Sequence, residues 1–379
     1  MRTRAQWSTV LFAVASASLL SPGAAGSTAA RGQASAPPAF EVYSRYDFVP
    51  GEKVVIFEDF SQDAIGDFPD RWNTTASGEV VTISNRPGRW LKLAGGGVFV
   101  PPFPPNLPDN FTLEYDMLVG PKFNSGYRLN TAIVELQNVK RPAAWQPVDN
   151  RFRFTAQPSA QGRPDAVSHA EPRLEGTPVA MAGADIKNFA DNGVPVHVAV
   201  SRQRQRVRVY FNENKAWDVP RALLATAKYN TILFFVPNVD TGSEFYISNI
   251  RLAIGAPDTR NKLLTEGRWT THGILFDVNS DRVKAESYGA IKEVSTVLSD
   301  TADLKVQIVG HTDSDGDAAA NLDLSRRRAA SVRDVLVTQF QIDGARLTTD
   351  GKGETMPVDK TETPAGKANN RRVDFVRVK

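Results

Sequence analysis

A short segment near the C-terminal end of this 379-residue chain has the residue types and the spacing to bind a charged ligand. It reads GHTDSDGDAAANLDLSRRRAASV and runs from Gly310 to Val332. Three aspartates stand close together, beginning with Asp313, and Arg328 is the last of three consecutive arginines that follow. A carboxylate binds an ammonium group, and a guanidinium binds a carboxylate through paired hydrogen bonds. The segment therefore suits a ligand that carries both charges.

A helix is predicted to follow the acidic turn, and Arg328 falls on its apolar side. With Leu324 at zero and about 100° per residue, the apolar residues of the helix lie within about 120° and Arg328 near 40°, whereas Arg326 and Arg327 point away. A guanidinium among apolar neighbours needs a partner for its donors. The acidic turn, Asp313 to Asp317, is the obvious candidate. Two interpretations remain open: an internal salt bridge, or two groups that flank a zwitterion.

The elements around this segment alternate between strand and helix. Strands are predicted for GILFDVNS, LKVQIVGH, RLTTDG and RRVDFVRV. Apolar residues recur three and four apart from Tyr288 to Leu298 and from Leu324 to Phe340, which indicates two amphipathic helices. The order strand, helix, strand, helix, strand predicts an α/β unit of about a hundred residues, a normal domain size.

Several separate motifs of this region, taken together, resemble the OmpA-like C-terminal domain that binds peptidoglycan. In chain order they are ILFDVNS, VQIVGHTDSDG, the asparagine at 321, LSRRRAASV, GKGETMPV and NNRRVDF, and they cover residues 266–379. The resemblance implies a β-α-β-α-β core. It also implies that Asp313 and Arg328 hold the two ends of the diaminopimelate side chain in the wall peptide. Asn321 and Arg371 match positions near that site.

Other polar residues of the segment carry weaker expectations. Thr312 is included among the ligand-binding residues, although a threonine at a turn often bonds only backbone groups. Asp315 stands where the family more often has a neutral residue, so it either competes for Arg328 or strengthens attraction for an ammonium group. His311 is expected to form hydrogen bonds at the end of its strand. The four histidines show no metal-site spacing, so neither a metal nor a cofactor is predicted.

The region 40–255 is predicted to be an all-β antiparallel sandwich. It consists of short β-branched and aromatic runs separated by Gly, Pro, Asn and Asp. FEDFSQDAIGDFPDRWNT near its start and FYISNIRLAI at its end resemble the first and last strands of concanavalin-like and laminin-G-like jelly rolls. That resemblance implies a carbohydrate-binding surface. Trp72, Trp90 and Trp145 could stack on sugars, but the preferred interpretation is that they are buried core residues.

Two alternatives for the β-rich region stay open. A carbohydrate-active enzyme would need two carboxylates across a cleft, and Glu114, Asp116 and Glu135 are the candidates. An outer-membrane β-barrel anchored to peptidoglycan would need longer strands with a clean outward apolar alternation. The basic stripe from Arg202 to Arg208 (with Arg204 and Arg206) is predicted to lie on one strand face, either solvated or bound to anionic glycans or lipid phosphates.

The N-terminal residues have the pattern of an export signal. Residues 1–26 combine a basic start, an apolar run and small residues, which predicts a signal peptide, and residues 27–39 predict a linker. A second linker is predicted at 256–265. Without the two leader arginines the formal net charge falls from +3 to +1, which argues against a nucleic-acid partner. The chain has no cysteine, and so neither a disulfide nor a thiolate site.

These observations together predict a non-enzymatic envelope protein, located in the periplasm or at the outer membrane. Its C-terminal domain would bind diaminopimelate-type peptidoglycan. Its β-sandwich would present a second surface for a glycan or an envelope protein, or would act as a scaffold.

Overall fold

The computed structural model describes residues 46–121, 123–124, 126–142, 148–159, 165–179, 181–255 and 258–378. All of them lie in one compact unit that spans Ser44–Lys379. The predicted signal peptide, the predicted linker 27–39 and Trp145 lie outside the described residues.

The N-terminal half is built from short strands, as its β-branched and aromatic runs favour. In the described ranges these are β1 (Lys53–Glu58), β2 (Asn73–Thr74), β3 (Ser77–Ile83), β4 (Arg86–Ala94), β5 (Gly97–Val100), β6 (Asn110–Val119), β7 (Leu129–Val134), β8 (Arg151–Ala156), β9 (Ala166–Ser168), β10 (Ala170–Leu174), β11 (Thr177–Pro178), β12 (Ala184–Ile186), β13 (Val196–Gln203), β14 (Arg206–Phe211), β15 (Asn214–Val219), β16 (Thr231–Val236) and β17 (Phe245–Ile254). The prediction that this half is mainly β-sheet is confirmed.

Two large antiparallel sheets contain most of these strands. The larger sheet has the order β15-β14-β13-β6-β17-β4-β3, and β1 pairs with the end of β17. The other large sheet has the order β11-β10-β8-β7-β16-β5-β2, and β12 pairs with β9 separately. Their inner faces share one hydrophobic core, in which the rings of Tyr115 and Phe234 approach to 5.1 Å. Trp72 and Trp90 are buried, as the core interpretation requires. The jelly-roll connectivity stays a prediction.

The prediction that Arg202, Arg204, Arg206 and Arg208 lie on one strand face is wrong. The strand ends at Gln203 and a new one begins at Arg206, so the arginines lie on two strands and the turn between them. Arg204 occupies that turn with a φ of 54°, in the left-handed region where glycine or asparagine is usual. Arg202 is buried and its Nη2 lies 2.9 Å from Asp109. The turn was missed because QRQR contains none of the residues that normally mark one.

The C-terminal half alternates strands and helices around a four-stranded sheet with the order β18-β21-β19-β20. Its elements in the described residues are α1 (Thr259–Asn261), a π-helical turn (Lys262–Glu266), β18 (Arg268–Thr271), a 3-10 turn (Ala285–Ser287), α2 (Tyr288–Asp300), β19 (Lys305–His311), α3 (Ala318–Phe340), a 3-10 turn (Gly344–Arg346), β20 (Leu347–Gly353), α4 (Pro364–Asn370) and β21 (Val373–Val378). Among the described helices, none is long and apolar enough to cross a membrane.

Two sequence expectations for this half differ from the structure. GILFDVNS was expected to be a strand, but the first strand of the sheet is β18, and Phe276 forms only an isolated bridge to Val283. The apolar residues of that segment pack into the core as a loop, which the pattern alone did not distinguish from a buried strand. Helix α3 begins at Ala318, before Leu324, because Asp317 accepts a hydrogen bond from the amide of Ala320 and caps it.

The C-terminal half packs on the outer face of the larger sheet. The side-chain amide of Asn369 in α4 accepts from the N–H of Val54 and donates to its C=O, both at 2.9 Å. Arg251 of β17 donates to the C=O of His272 at 3.1 Å. A Cβ added to Gly289 in α2 would lie 1.9 Å from a backbone oxygen, which shows how closely the halves approach. The predicted boundary at 256–265 stays a prediction.

Candidate functional site

The acidic turn between β19 and α3 is held in place by its own polar residues. Asp313 is largely buried, and its Oδ2 pairs with Arg371 just before β21. Within the described residues its Oδ1 accepts a single long bond, of 3.3 Å, from the amide of Asp315. Asn321 of α3 donates to the carbonyl of Asp315 at 3.0 Å and to the carboxylate of Glu354 at 2.8 Å. Asn321 therefore fixes the backbone of the turn to the start of α3.

Arg328 is anchored from the other side of the site, by the loop that follows β18. Its Nε donates to the carbonyl of Ser280 at 2.9 Å and its Nη2 to that of Asp277 at 3.4 Å. The guanidinium also lies 4.8 Å above the centre of the Phe276 ring, a cation–π geometry. Burial lowers the pKa of Arg328, and the charge of Asp313 partly offsets this effect.

The internal salt bridge between Arg328 and the acidic turn is therefore not the arrangement found. In the part of the chain that the structure describes, Asp313 pairs with Arg371, and Arg328 uses backbone carbonyls. Carbonyl oxygens satisfy the donors of a guanidinium without neutralising its charge, so a half-buried arginine does not need a carboxylate partner. The predicted faces of the helix are confirmed, because Arg328 is half-buried, whereas Arg326 and Arg327 are exposed.

A cavity of about 180 Å³ lies beside Arg328 and is lined by both halves of the chain. From the C-terminal half it receives Arg328 and Arg371, together with apolar residues of the loop after β18. From the N-terminal half it receives Phe57 of β1 and Arg251 of β17. Guanidinium groups dominate its polar lining, so the cavity favours an anionic group such as a carboxylate.

Buried titratable groups surround this cavity. His311 at the end of β19 lies 2.8 Å from Asp374 of β21. Burial opposes the ionisation of Asp374, but hydrogen bonds from His311 and Thr270 outweigh it and hold the pKa of that carboxyl low. Burial lowers the pKa of His272 to about 3, with the nearby charge of Arg251 acting in the same direction. His272 is therefore neutral at physiological pH.

The remaining predicted residues have defined places. Thr312 is buried, and its amide donates to the carbonyl of Gly353 at 3.0 Å, while its hydroxyl has no hydrogen-bond partner within the described residues. Asp315 pairs with Lys367 at 2.6 Å, so this extra carboxylate is engaged away from Arg328. Across the described ranges, no group of three or more His, Cys, Asp or Glu residues is placed to hold a metal ion.

The carboxylates considered for an enzyme are not brought together at an open cleft. Glu114 and Asp116 share the outer face of β6, where His197 lies 3.5 Å from the first and 2.8 Å from the second. Glu114 is buried and also approaches Arg251 to 3.5 Å. Glu135 lines a different cavity and accepts from Asn150 at 3.2 Å. This face of β6 was predicted to be exposed to solvent, but Glu114 on it is buried.

Comparison with known proteins identifies the C-terminal half. The OmpA family profile matches residues 275–371. The putative lipoprotein YfiB of Escherichia coli is 34% identical over 113 residues, which are 29% of this chain and 71% of that protein. This chain belongs to the OmpA family through its C-terminal half. Outer membrane porin F of Pseudomonas aeruginosa is 41% identical to the OmpA-family chain over 101 residues, 27% of this chain and 29% of the porin. The chain thus matches less than a third of that porin's length.

Solved structures similar to this OmpA-family chain include two with wall-related names. The cell wall anchor of the T6SS from Pseudomonas aeruginosa is 30% identical with a TM-score of 0.27, over 30% of this chain and 81% of that one. The peptidoglycan-associated lipoprotein of Burkholderia pseudomallei is 26% identical with a TM-score of 0.27, over 32% of this chain and 98% of that one.

Phe57, Arg251 and Phe276 are the site residues that sequence reasoning missed. Phe276 stands in the ILFDVNS motif, where it was counted as part of a strand. Phe57 and Arg251 belong to the β-rich half, and no local pattern links them to a site more than 50 residues away. Only the packing of the two halves reveals them.

Proposed function

We propose that this OmpA-family protein binds peptidoglycan non-covalently through the diaminopimelate of the wall peptide. Asp313 takes the side-chain ammonium group and Arg328 takes the carboxylate next to it. Thr312, Asn321 and Arg371 complete the site. Asn321 holds the turn, Arg371 orients Asp313, and the hydroxyl of Thr312, which has no partner within the described residues, is available for a polar group of the ligand. The proposed protein is not an enzyme and needs no cofactor. Its proposed location is the cell envelope, in the periplasm or at the outer membrane after export.

The anchoring of Arg328 by carbonyl groups is the observation that carries this proposal. A guanidinium held by Ser280 and Asp277 keeps its full charge beside a cavity, because no negative charge touches it in these contacts. A ligand carboxylate can therefore add a charge-assisted hydrogen bond without displacing an internal ion pair. The fixed carbonyl contacts also reduce the entropy lost when the ligand binds.

Asp313 has a free acceptor position for the other end of the ligand. Arg371 occupies its Oδ2, whereas in the part of the chain that the structure describes Oδ1 has only the long bond from the amide of Asp315. Because a carboxylate accepts several hydrogen bonds, an ammonium group can bind at Oδ1 while Arg371 stays in place. Asp313 and Arg328 are anchored by different partners and do not pair with each other, which supports a site for a zwitterion.

The names of the relatives support the proposed location. Porin F is named as an outer-membrane protein and YfiB as a putative lipoprotein. For the β-rich half we propose a second binding or scaffolding surface, open to a glycan or to an envelope protein. The enzyme alternative has less support, because Glu114 and Asp116 both contact His197 and Glu114 is buried.

The test is sedimentation of the full chain with purified diaminopimelate-type peptidoglycan. Arg328→Ala and Asp313→Ala are each expected to weaken binding by about tenfold or more, since a hydrogen bond to a charged group contributes about 1.5–3 kcal/mol. Arg326→Ala and Asp323→Ala are matched controls, because both remove an exposed charge from the same helix. They should bind like the parent.

Lysine-type peptidoglycan separates the role of Asp313 from that of Arg328, because the lysine side chain of its peptide has the ammonium group but lacks the carboxylate next to it. The parent should bind it more weakly than the diaminopimelate type, and Arg328→Ala should cause no further loss there. If both alanine variants sediment like the parent while folded, the proposed site is wrong.

A further inference from the structure

One side of the cavity beside Arg328 comes from outside the OmpA-family match. Phe57 of β1 lies over the guanidinium of Arg371, with the arginine carbon 5.3 Å from the ring centre. Phe57 is partly exposed and packs with a small apolar cluster that includes Val54 and Ala368. Phe57 and Arg371 both line the cavity, so the ring packs against this guanidinium at the cavity wall.

The position of this ring is fixed by buried contacts between the halves. Both backbone groups of Val54, three residues before Phe57, bond to the side chain of Asn369 at 2.9 Å. The same strand pairs with β17, where Phe57 is opposite Arg251. Arg251 in turn donates to the carbonyl of His272. Strand β1 is thus held between its own sheet and α4, and these contacts position Phe57 at the cavity.

Arg251 gives an independent sign that a ligand group belongs here. It lines the cavity and is only 8% exposed, yet its Nε has no hydrogen-bond partner within the described residues. Its Nη1 is used by the carbonyl of His272 and lies 3.5 Å from Glu114. A buried guanidinium nitrogen without a partner is costly unless another group or water meets it.

We propose that the β-rich half completes the peptide-binding site, with Phe57 contacting the aliphatic stem of the bound diaminopimelate. The ring supplies the apolar wall between the two charged ends, and it holds Arg371 in the position that orients Asp313. Arg251 lines the same cavity, and its Nε, which has no hydrogen-bond partner within the described residues, supplies a further donor. This inference rests on the proposed function and makes the recognition site a joint product of both halves.

The test is calorimetric titration of the full chain with the soluble tripeptide L-Ala-γ-D-Glu-meso-diaminopimelate. Phe57→Ala is expected to weaken binding by about tenfold, because an aromatic wall and the position of Arg371 are lost together. Phe57→Tyr keeps the ring and should bind within about twofold of the parent. Phe57→Leu keeps the apolar bulk without the ring and should lower the affinity about threefold to fivefold. It replaces Phe57→Ala as the test variant if the alanine substitution unfolds the strand.

Phe235→Ala is the matched control, because Phe235 is also partly buried on a strand but lies in the other large sheet. It should leave the affinity unchanged. Binding by the parent that is lost in Arg328→Ala and unchanged in folded Phe57→Ala and Phe57→Leu would overturn this inference and leave the proposed function standing. Failure of the parent itself to bind the tripeptide and the intact wall would overturn both.

Discussion

The amide of Asn369 is expected to be a main point of attachment between the two halves, and its removal gives a direct measure of their coupling. Strand β1 lies at a sheet edge, with β17 on one side only. On its open side the side chain of Asn369 acts like the peptide group of a neighbouring strand, because it both donates to and accepts from Val54. Asn369 is buried, so water cannot easily replace these bonds.

Asn369→Ala should lower the free energy of unfolding by about 2–4 kcal/mol. Two buried backbone groups lose their partners, and each unsatisfied group costs about 1–3 kcal/mol, less whatever water recovers. The assay is urea unfolding of the full chain, followed both by tryptophan fluorescence and by far-ultraviolet circular dichroism. We also expect the variant to unfold in two steps, since the halves are less firmly coupled.

Asn106→Ala is the control, because Asn106 is exposed in a loop of the β-rich half. It should change stability by less than about 0.5 kcal/mol. A loss below about 0.5 kcal/mol for Asn369→Ala, with a single transition retained, would refute the view that this amide joins the halves.

Two further predictions concern the same interface. Burial opposes a charge on His197, but its contacts with Asp116 and Glu114 outweigh it and raise its pKa to about 10. Because the unfolded pKa is near 6.5, this stabilisation is complete below pH 6.5 and is lost as pH rises through 10, by at most about 1.4 kcal/mol per pH unit. Urea unfolding from pH 7 to 10 should show that slope, and His197→Gln, although less stable, should show a smaller one; equal slopes would contradict the assignment. Gly289→Ala should cost about 1–3 kcal/mol, because its added Cβ meets a backbone oxygen of Phe48 in the N-terminal half. Gly120→Ala is the control in thermal unfolding, because its added Cβ would lie 4.0 Å from the nearest atom, an ordinary contact.

The elements that could be predicted from the sequence are those whose pattern is local. Helix α2 and strand β19 follow from apolar spacing and β-branched runs, and the structure has both. The motifs around Asp313 and Arg328 also identified the family, since several of them agree in order. These patterns predict the structure correctly because each depends on a few neighbouring residues and not on distant partners.

The parts that could not be predicted depend on partners distant in the chain. Glu114 alternates with apolar residues and was therefore interpreted as solvent-facing, but the other half covers it. Arg328 was expected to pair with a carboxylate, and the carbonyls of a loop about 50 residues away took that role. A backbone carbonyl has no sequence signature, so such a partner cannot be inferred from residue types.

The bond between Val54 and Asn369 also constrains the order in which the chain can fold. It joins residues 315 positions apart, so strand β1 cannot acquire its outer partner until almost the whole chain has been synthesised. Contacts this distant form late, because closing a long loop costs entropy before it gains any contact. Until then β1 is an open sheet edge, and such edges pair readily with other chains. A chain shortened before Asn369 should therefore self-associate through β1.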